Sequence, residues 1–329
     1  MLSVYCQASN GLKRIERDQD APLPEEAVWL DLLEPTVEEE RLVEARLGLD
    51  IPTREEMREI ESSSRLYEEA GALYLTATVV TKLDTSLPEN AQVTFILTGT
   101  RLVTNRYVDP LPFRRFVAHT ERHPQSNSTA QAVFAGLLES IINRIADVIE
   151  RVGSDIDTAS AEIFNRQKLM ADRSRHRHTQ RDFRKLLEHI GQSGELIAKA
   201  RESLASLARL LAFAQQSSIT MTQDVRTRLR TLSKDVVAMS DHASFLGTNL
   251  NFVLDATLGM INIDQNNILK IFSVVTVFLL PPSVIGAIFG MNFTHIPESD
   301  KPWGFWGAIA LMVLSAVVPW AIFRHKRWL

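Results

Sequence analysis

Counting alternately by four and three from Asp255 lands on Gly259, Asn262, Asn266, Leu269, Ser273, Thr276, Leu280, Ser283, Ala287 and Gly290. That spacing sets residues on one stripe of a left-handed supercoil, where an ordinary coiled coil carries Leu, Ile and Val. Here the stripe is a carboxylate, amides, hydroxyls and small residues, interrupted by two leucines. Oxygen ligands suit hard cations, and Mg2+ gives up its water reluctantly, so it usually travels or binds with several waters in place. Neutral amides, hydroxyls and carbonyls can hydrogen-bond such a hydration shell without stripping it. The chain has one cysteine, Cys6, and the stripe holds no histidine, which argues against a soft-metal site.

The elements that must position this stripe are unusual. Ile271 to Phe293 carries no charge, Thr294 to Lys301 forms a short connection, and Pro302 to Phe323 is again uncharged. At about 1.5 Å rise per residue each run is long enough for a bilayer core of roughly 30 Å. The two runs read as a membrane hairpin rather than as buried helices of a soluble domain. Arg324, His325, Lys326 and Arg327 follow the second run and Lys270 precedes the first, whereas the connection holds Glu298, Asp300 and only Lys301. The positive-inside bias puts both hairpin ends in the cytoplasm and the loop outside. Trp303, Trp306, Trp320 and Trp328 lie near the span ends, where interfacial anchors are common. Met1 to Asn10 shows no basic segment followed by an apolar run, so no cleaved signal is expected. Residues 1 to about 265 are then cytosolic, and the chain is a multi-pass inner-membrane protein.

Polar groups at membrane depth are costly unless they face protein or water. One helix cannot enclose water, so several copies must gather with the stripe inward. Rings then form at Asp255, Asn262 and Asn266, with hydroxyl rings at Ser273, Thr276 and Ser283. Leu269 and Leu280 become two apolar constrictions able to gate by dewetting. Small-residue packing between membrane helices is the competing explanation; it accounts poorly for Asp255, Asn262 and Asn266.

The rest of the chain divides at a polar, turn-forming stretch, Pro124 to Ser128. Before it, Val28–Leu32, Ala72–Thr81, Ala91–Thr98 and Arg101–Tyr107 are strand-like, and Thr36–Leu47 and Thr53–Glu61 read as helices. Thr36 and Glu39 have capping-box spacing and Gly48 is a natural stop. After it there is no proline from Thr129 to Leu269, and three long helices are expected at about 129–170, 177–215 and 219–290. The last would run on the order of 100 Å and needs partners along its length. The expected domains are therefore 1–125, an α/β domain; 126–265, a long-helix region and stalk; and 266–329, the membrane hairpin.

Enzyme chemistry finds no support. No G-x-G, H-E-x-x-H or G-x-S-x-G occurs. The run Arg173 to His178 reads as a solvated turn between helices, and Asp155 with Asp157 as a polar helix face. The net charge of -4 on 329 residues lacks the basic excess of a nucleic-acid binder. A mean hydropathy near zero averages a charged body with a two-span tail.

Gly290-Met291-Asn292 closes the first span, ahead of the second span and a basic tail. With Gly259 to Asn267, Lys270 to Val275, Leu280-Pro281-Pro282, Trp29 to Pro35 and Glu61 to Arg65, this pattern resembles the CorA family of magnesium and cobalt channels over essentially the whole chain. The resemblance implies a funnel-shaped homopentamer with an α/β/α cytoplasmic sandwich, a stalk continuing as the pore, and Mg2+ influx, with Co2+ and Ni2+ as further ions. It implies no organic cofactor and no nucleic-acid partner. Asn292 and the Gly290 carbonyl would bind hydrated Mg2+ at the outer mouth, beside Met291. Asp255, Asn266, Leu269, Leu280 and Ser283 fall where the family lines its pore. Members close when cytosolic Mg2+ sits between subunits; Asp224, Asp235 and Asp241 are the candidate acidic ligands here. Magnesium-type members commonly continue with an acidic Phe-Glu-x-Met-Pro-Glu-Leu loop, where this chain has Phe293-Thr294-His295-Ile296-Pro297-Glu298-Ser299. The zinc-transporting branch also lacks that loop, so a zinc transporter is the alternative, and a non-conducting membrane scaffold or sensor a third.

Overall fold

The computed structural model describes residues 1–8, 11–15, 23–59, 61–82, 88–122, 128–170, 179–291 and 303–325. The chain divides into two compact units, Met1–Asp255 and Ala256–Leu329.

The first unit opens with a seven-stranded sheet: β1 (Leu2–Ala8), β2 (Gly11–Ile15), β3 (Ala27–Leu33), β4 (Leu66–Glu69), β5 (Ala72–Thr81), β6 (Glu89–Leu97) and β7 (Leu102–Arg106). Their spatial order is β2-β1-β3-β7-β6-β5-β4. All neighbours are antiparallel except β3 and β7, which run parallel with Trp29 opposite Leu102 and Leu33 opposite Arg106. Strand side chains alternate between faces, and both faces are apolar, as a sheet covered on both sides requires. Val4, Cys6, Leu30, Leu32, Ile96 and Val103 meet Val43 of helix α1 (Val37–Leu47) with Leu49 and Ile51. On the other face Trp29 lies tilted against Phe113 and edge-on to Phe116 of α3 (Leu111–Arg122), and Phe95 stands edge-on to Phe134 of α4 (Ala130–Met170). The α/β/α layering that the resemblance implies is present.

Helix α1 forms where its caps put it. The Thr36 side chain accepts from the Glu39 backbone N–H, the Glu39 carboxylate accepts from the Thr36 N–H, and Gly48 ends the helix at φ 64°. The helix expected over Thr53–Glu61 is absent. A single 3-10 turn, Glu56–Arg58, forms after Pro52, and a separate short helix, α2, occupies Ser62–Arg65. Met57 is the turn's one buried anchor, too little apolar surface to seat a longer helix. The N-terminal hairpin β1–β2 and strand β4 were not expected, although Val4 and Cys6 alternate with Ser3 and Tyr5 as a strand should.

The long helices are α4, α5 (Thr179–Gln216) and α6 (Gln223–Phe289), followed by α7 (Gly304–His325). Within the first unit α6 buries Val225, Leu229, Leu232, Val236, Ala243, Leu246, Leu250 and Val253, a strict apolar 4-3 line once Met239 is counted. Glycines let the helices close on this line. A β-carbon on Gly153 of α4 would lie 3.7 Å from Leu246, and one on Gly194 of α5 only 3.1 Å from Leu250. The expected turn Arg173–His178 lies outside the described residues, as does most of the Pro124–Ser128 stretch.

Candidate ion pathway

In the second unit α6 and α7 pack side by side. Phe278 stands edge-on to Phe323 at 6.2 Å, and a β-carbon on Gly286 would touch Met312 Cε at 3.4 Å. From Lys270 to Gly290 the partly covered residues of α6 are Val274, Phe278, Pro281, Pro282, Ile285 and Gly286. The 4-3 stripe lies elsewhere. Every member from Asp255 to Gly290 is exposed, including Leu269 at 61% and Leu280 at 59%. At about 100° per residue, the α7-facing line and the stripe fall on opposite sides of α6. One chain thus covers one side of the helix and leaves the polar side bare.

The three hydroxyls on the stripe between Leu269 and Gly290 share a geometry. Ser273 Oγ donates to the Leu269 carbonyl at 2.8 Å, Thr276 Oγ1 to Phe272 at 2.8 Å and Ser283 Oγ to Leu279 at 2.7 Å. Each hydroxyl proton is held by its own helix, so each oxygen turns its lone pairs outward. A row of acceptors matches the outward-pointing hydrogens of waters around a cation and repels the solvation shell of an anion. Pro281 and Pro282 sit inside α6 and contribute no backbone N–H to its ladder. Gly290 ends the helix, its N–H donating to the Gly286 carbonyl at 3.0 Å. A β-carbon there would press to 3.2 Å of that same oxygen, so only glycine closes the turn without a shift. Met291 is exposed; Asn292 and the loop to Pro302 lie outside the described residues.

Asn262 and Asn266 stand exposed one turn apart, Asp255 two turns before Asn262. Asp224, Asp235 and Asp241 are also exposed on α6, and the protomer does not bring them together: Asp224 and Asp235 are separated by about 16 Å of helical rise. Among the described residues no group of three or more His, Cys, Asp or Glu is placed to hold a metal within one chain. The anchors Trp303, Trp306 and Trp320 are 56%, 69% and 46% exposed, and the Arg324 guanidinium lies over the Trp320 ring at 5.2 Å. Trp328, Lys326 and Arg327 lie outside the described residues. Sequence reasoning missed Gly286, whose role is set by Met312 of α7, more than twenty residues further on.

Both α6 and α7 are long and apolar enough to cross a membrane, and none of the apolar window in either is buried. A model of the CorA-like Mg2+ transporter protein family matches residues 24–326. The chain belongs to the CorA-like Mg2+ transporter family. Its CorA relatives include the magnesium transport protein CorA of Escherichia coli strain K12 and that of Yersinia pseudotuberculosis, each 30% identical over 329 residues and all of both chains. The complete structure of the CorA magnesium transporter from Methanocaldococcus jannaschii superposes with a TM-score of 0.74 over 100% of this chain and 99% of that one, at 17% identity. The CorA fold is therefore shared end to end: a mixed-sheet domain, a long helix and two apolar C-terminal helices. A membrane protein of a transporter family follows.

Proposed function

We propose that the chain is one subunit of a homopentameric channel that carries Mg2+ inward across the inner membrane, with both termini cytosolic, no catalytic chemistry and no organic cofactor. Residues 1–125 form the α/β domain, 126–265 the long helices and stalk, and 266–329 the pore hairpin. Gly290, Met291 and Asn292 receive the hydrated ion at the outer mouth. Ser283, Thr276, Asn266, Asn262 and Asp255 hydrogen-bond its water along the path, and Leu269 and Leu280 form the gate. Co2+ and Ni2+ are further permeant ions. Cytosolic Mg2+ between subunits, at Asp224, Asp235 and Asp241, closes the channel. The magnesium transport proteins among the relatives support the choice of ion.

The observation that carries the reading is the bare polar stripe on the side of α6 opposite α7. A lipid-facing helix side would be apolar, and a helix pair needs no amides there. The membrane potential supplies about 2.3 kcal/mol per charge per 100 mV, enough to drive a divalent cation inward.

The experiment is ion uptake by proteoliposomes, Mg2+ in competition with Zn2+, Co2+ and Ni2+. Asn292→Ala should nearly abolish Mg2+ uptake while the oligomer stays intact on a sizing column. Unchanged uptake would overturn the proposed mouth, and Zn2+ flux above Mg2+ flux would replace the ion.

A further inference from the structure

The 4-3 count that gives the stripe does not stop at Asp255. Carried toward the N-terminus it reaches Phe252, Thr248, Phe245 and Asp241, and continues to Asp224. Every position on it is exposed. The buried line of Val225, Leu229, Leu232 and Val236 seats the opposite part of the helix on its own chain, so this line is what a single copy leaves open. Its residues are mostly Asp, Thr and Lys, which water satisfies. Phe245 and Phe252 are the exceptions, 62% and 56% exposed and seven residues apart in the same phase. Neither ring is loose: Phe252 stacks on Phe164 of α4 at 6.3 Å, and Phe245 lies parallel to His242 at 6.2 Å. Even with these contacts both rings stay more than half exposed on an otherwise hydrated line, leaving apolar surface for a further neighbour to cover.

We propose that the neighbours are the same two residues of the other copies, forming two aromatic rings around the ion path on the cytosolic side of Asp255. The inference rests on the reading of α6 as the pore helix. An aromatic girdle there expels water, as a leucine ring does. It adds a barrier that a hydrated ion must pass after Leu269 and Leu280, about 10.5 Å of helix separating the two rings.

The lone Cys6 makes a clean test possible. In a Cys6→Ser background, Phe245→Cys, Phe252→Cys, Ser283→Cys and the off-line, exposed Arg226→Cys are each oxidised with copper phenanthroline in membranes and run without reductant. The expected result is inter-subunit cross-linking at 245, 252 and 283 and far less at 226. Separately, Phe245→Ala with Phe252→Ala should raise Mg2+ flux severalfold in proteoliposomes. Cross-linking at 283 with none at 245 and 252 removes the rings and keeps the pore reading. Absence at all three overturns both. Cross-linking with unchanged flux in the double alanine variant overturns the barrier.

Discussion

Gly286 of α6 and Met312 of α7 meet so closely that a β-carbon on the glycine would stand 3.4 Å from the methionine Cε. This contact decides which side of α6 belongs to α7 and therefore which side is left for the proposed ion path. Alanine there is tolerated, because the far end of a flexible methionine yields by a few tenths of an ångström. Gly286→Val is not: overpacking costs typically about 1–3 kcal/mol. The expected outcome is an oligomer that dissociates at lower temperature in detergent, with Gly286→Ala close to the parent. Equal thermal stability of the two variants would count against the contact.

Leu280 and Leu269 stand 59% and 61% exposed on a line otherwise polar or small between Asp255 and Gly290. Nothing in one chain rewards a bare leucine there, whereas a ring of leucines closes by expelling water. Leu280→Ala should raise Mg2+ leak severalfold in the presence of high internal Mg2+, and Leu269→Ala likewise. Flux indistinguishable from the parent under that proposed closing condition would remove Leu280 from the proposed gate.

What the sequence made legible is what one helix or one turn decides. The stripe is a local period, so its ten steps from Asp255 could be counted, and the Thr36–Glu39 box with Gly48 placed α1 to within one residue. The apolar line from Val225 to Val253 was equally countable but was masked by the charged residues interleaved with it. Contacts between distant segments were not readable. The parallel pairing of Trp29 with Leu102 joins strands more than seventy residues apart, and nothing local announces it. Thr53–Glu61 failed for the opposite reason: good helix formers with one buried side chain among the described residues, Met57, do not fold as a helix without a surface to seat them.

The same parallel pair hides a charged group in the sheet. Arg106 Nη2 lies 2.7 Å and Nε 3.0 Å from the two oxygens of Asp31, with both side chains 6% exposed. Thr104 Oγ1 donates to Asp31 at 2.7 Å, Trp29 Nε1 to Thr104 at 3.0 Å, and the guanidinium covers the Phe113 ring at 4.6 Å. Burial works against the charged guanidinium, but the hydrogen bonds and charge of Asp31, then Asp109, outweigh it and hold Arg106 above its ordinary pKa. Removing one partner strands a buried charge, at a cost of about 3–5 kcal/mol. Asp31→Ala should therefore lower the unfolding midpoint of the full-length protein sharply. Asp31→Leu with Arg106→Met should recover part of the loss, since a neutral apolar pair leaves no buried charge unpaired and only the Thr104 hydroxyl loses its buried acceptor. A double variant no more stable than Asp31→Ala would show the pair is not the cause.

Ser283 tests the chemistry of the path apart from its shape. Its proton is committed to the Leu279 carbonyl at 2.7 Å, so in the proposed path it would offer a passing ion's water an acceptor. Ser283→Ala deletes that acceptor with little change in volume, and a hydrogen bond of this kind contributes about 0.5–1.5 kcal/mol. If water around the ion uses it at the rate-limiting position, Mg2+ flux should fall by about two- to tenfold, each 1.4 kcal/mol being tenfold. Ser283→Thr keeps the same back-bond to Leu279 and the same outward lone pairs, so flux should stay near the parent. The two variants separate hydration from packing: a channel held together only by small residues at this site would tolerate alanine and suffer from threonine, the reverse order of activity.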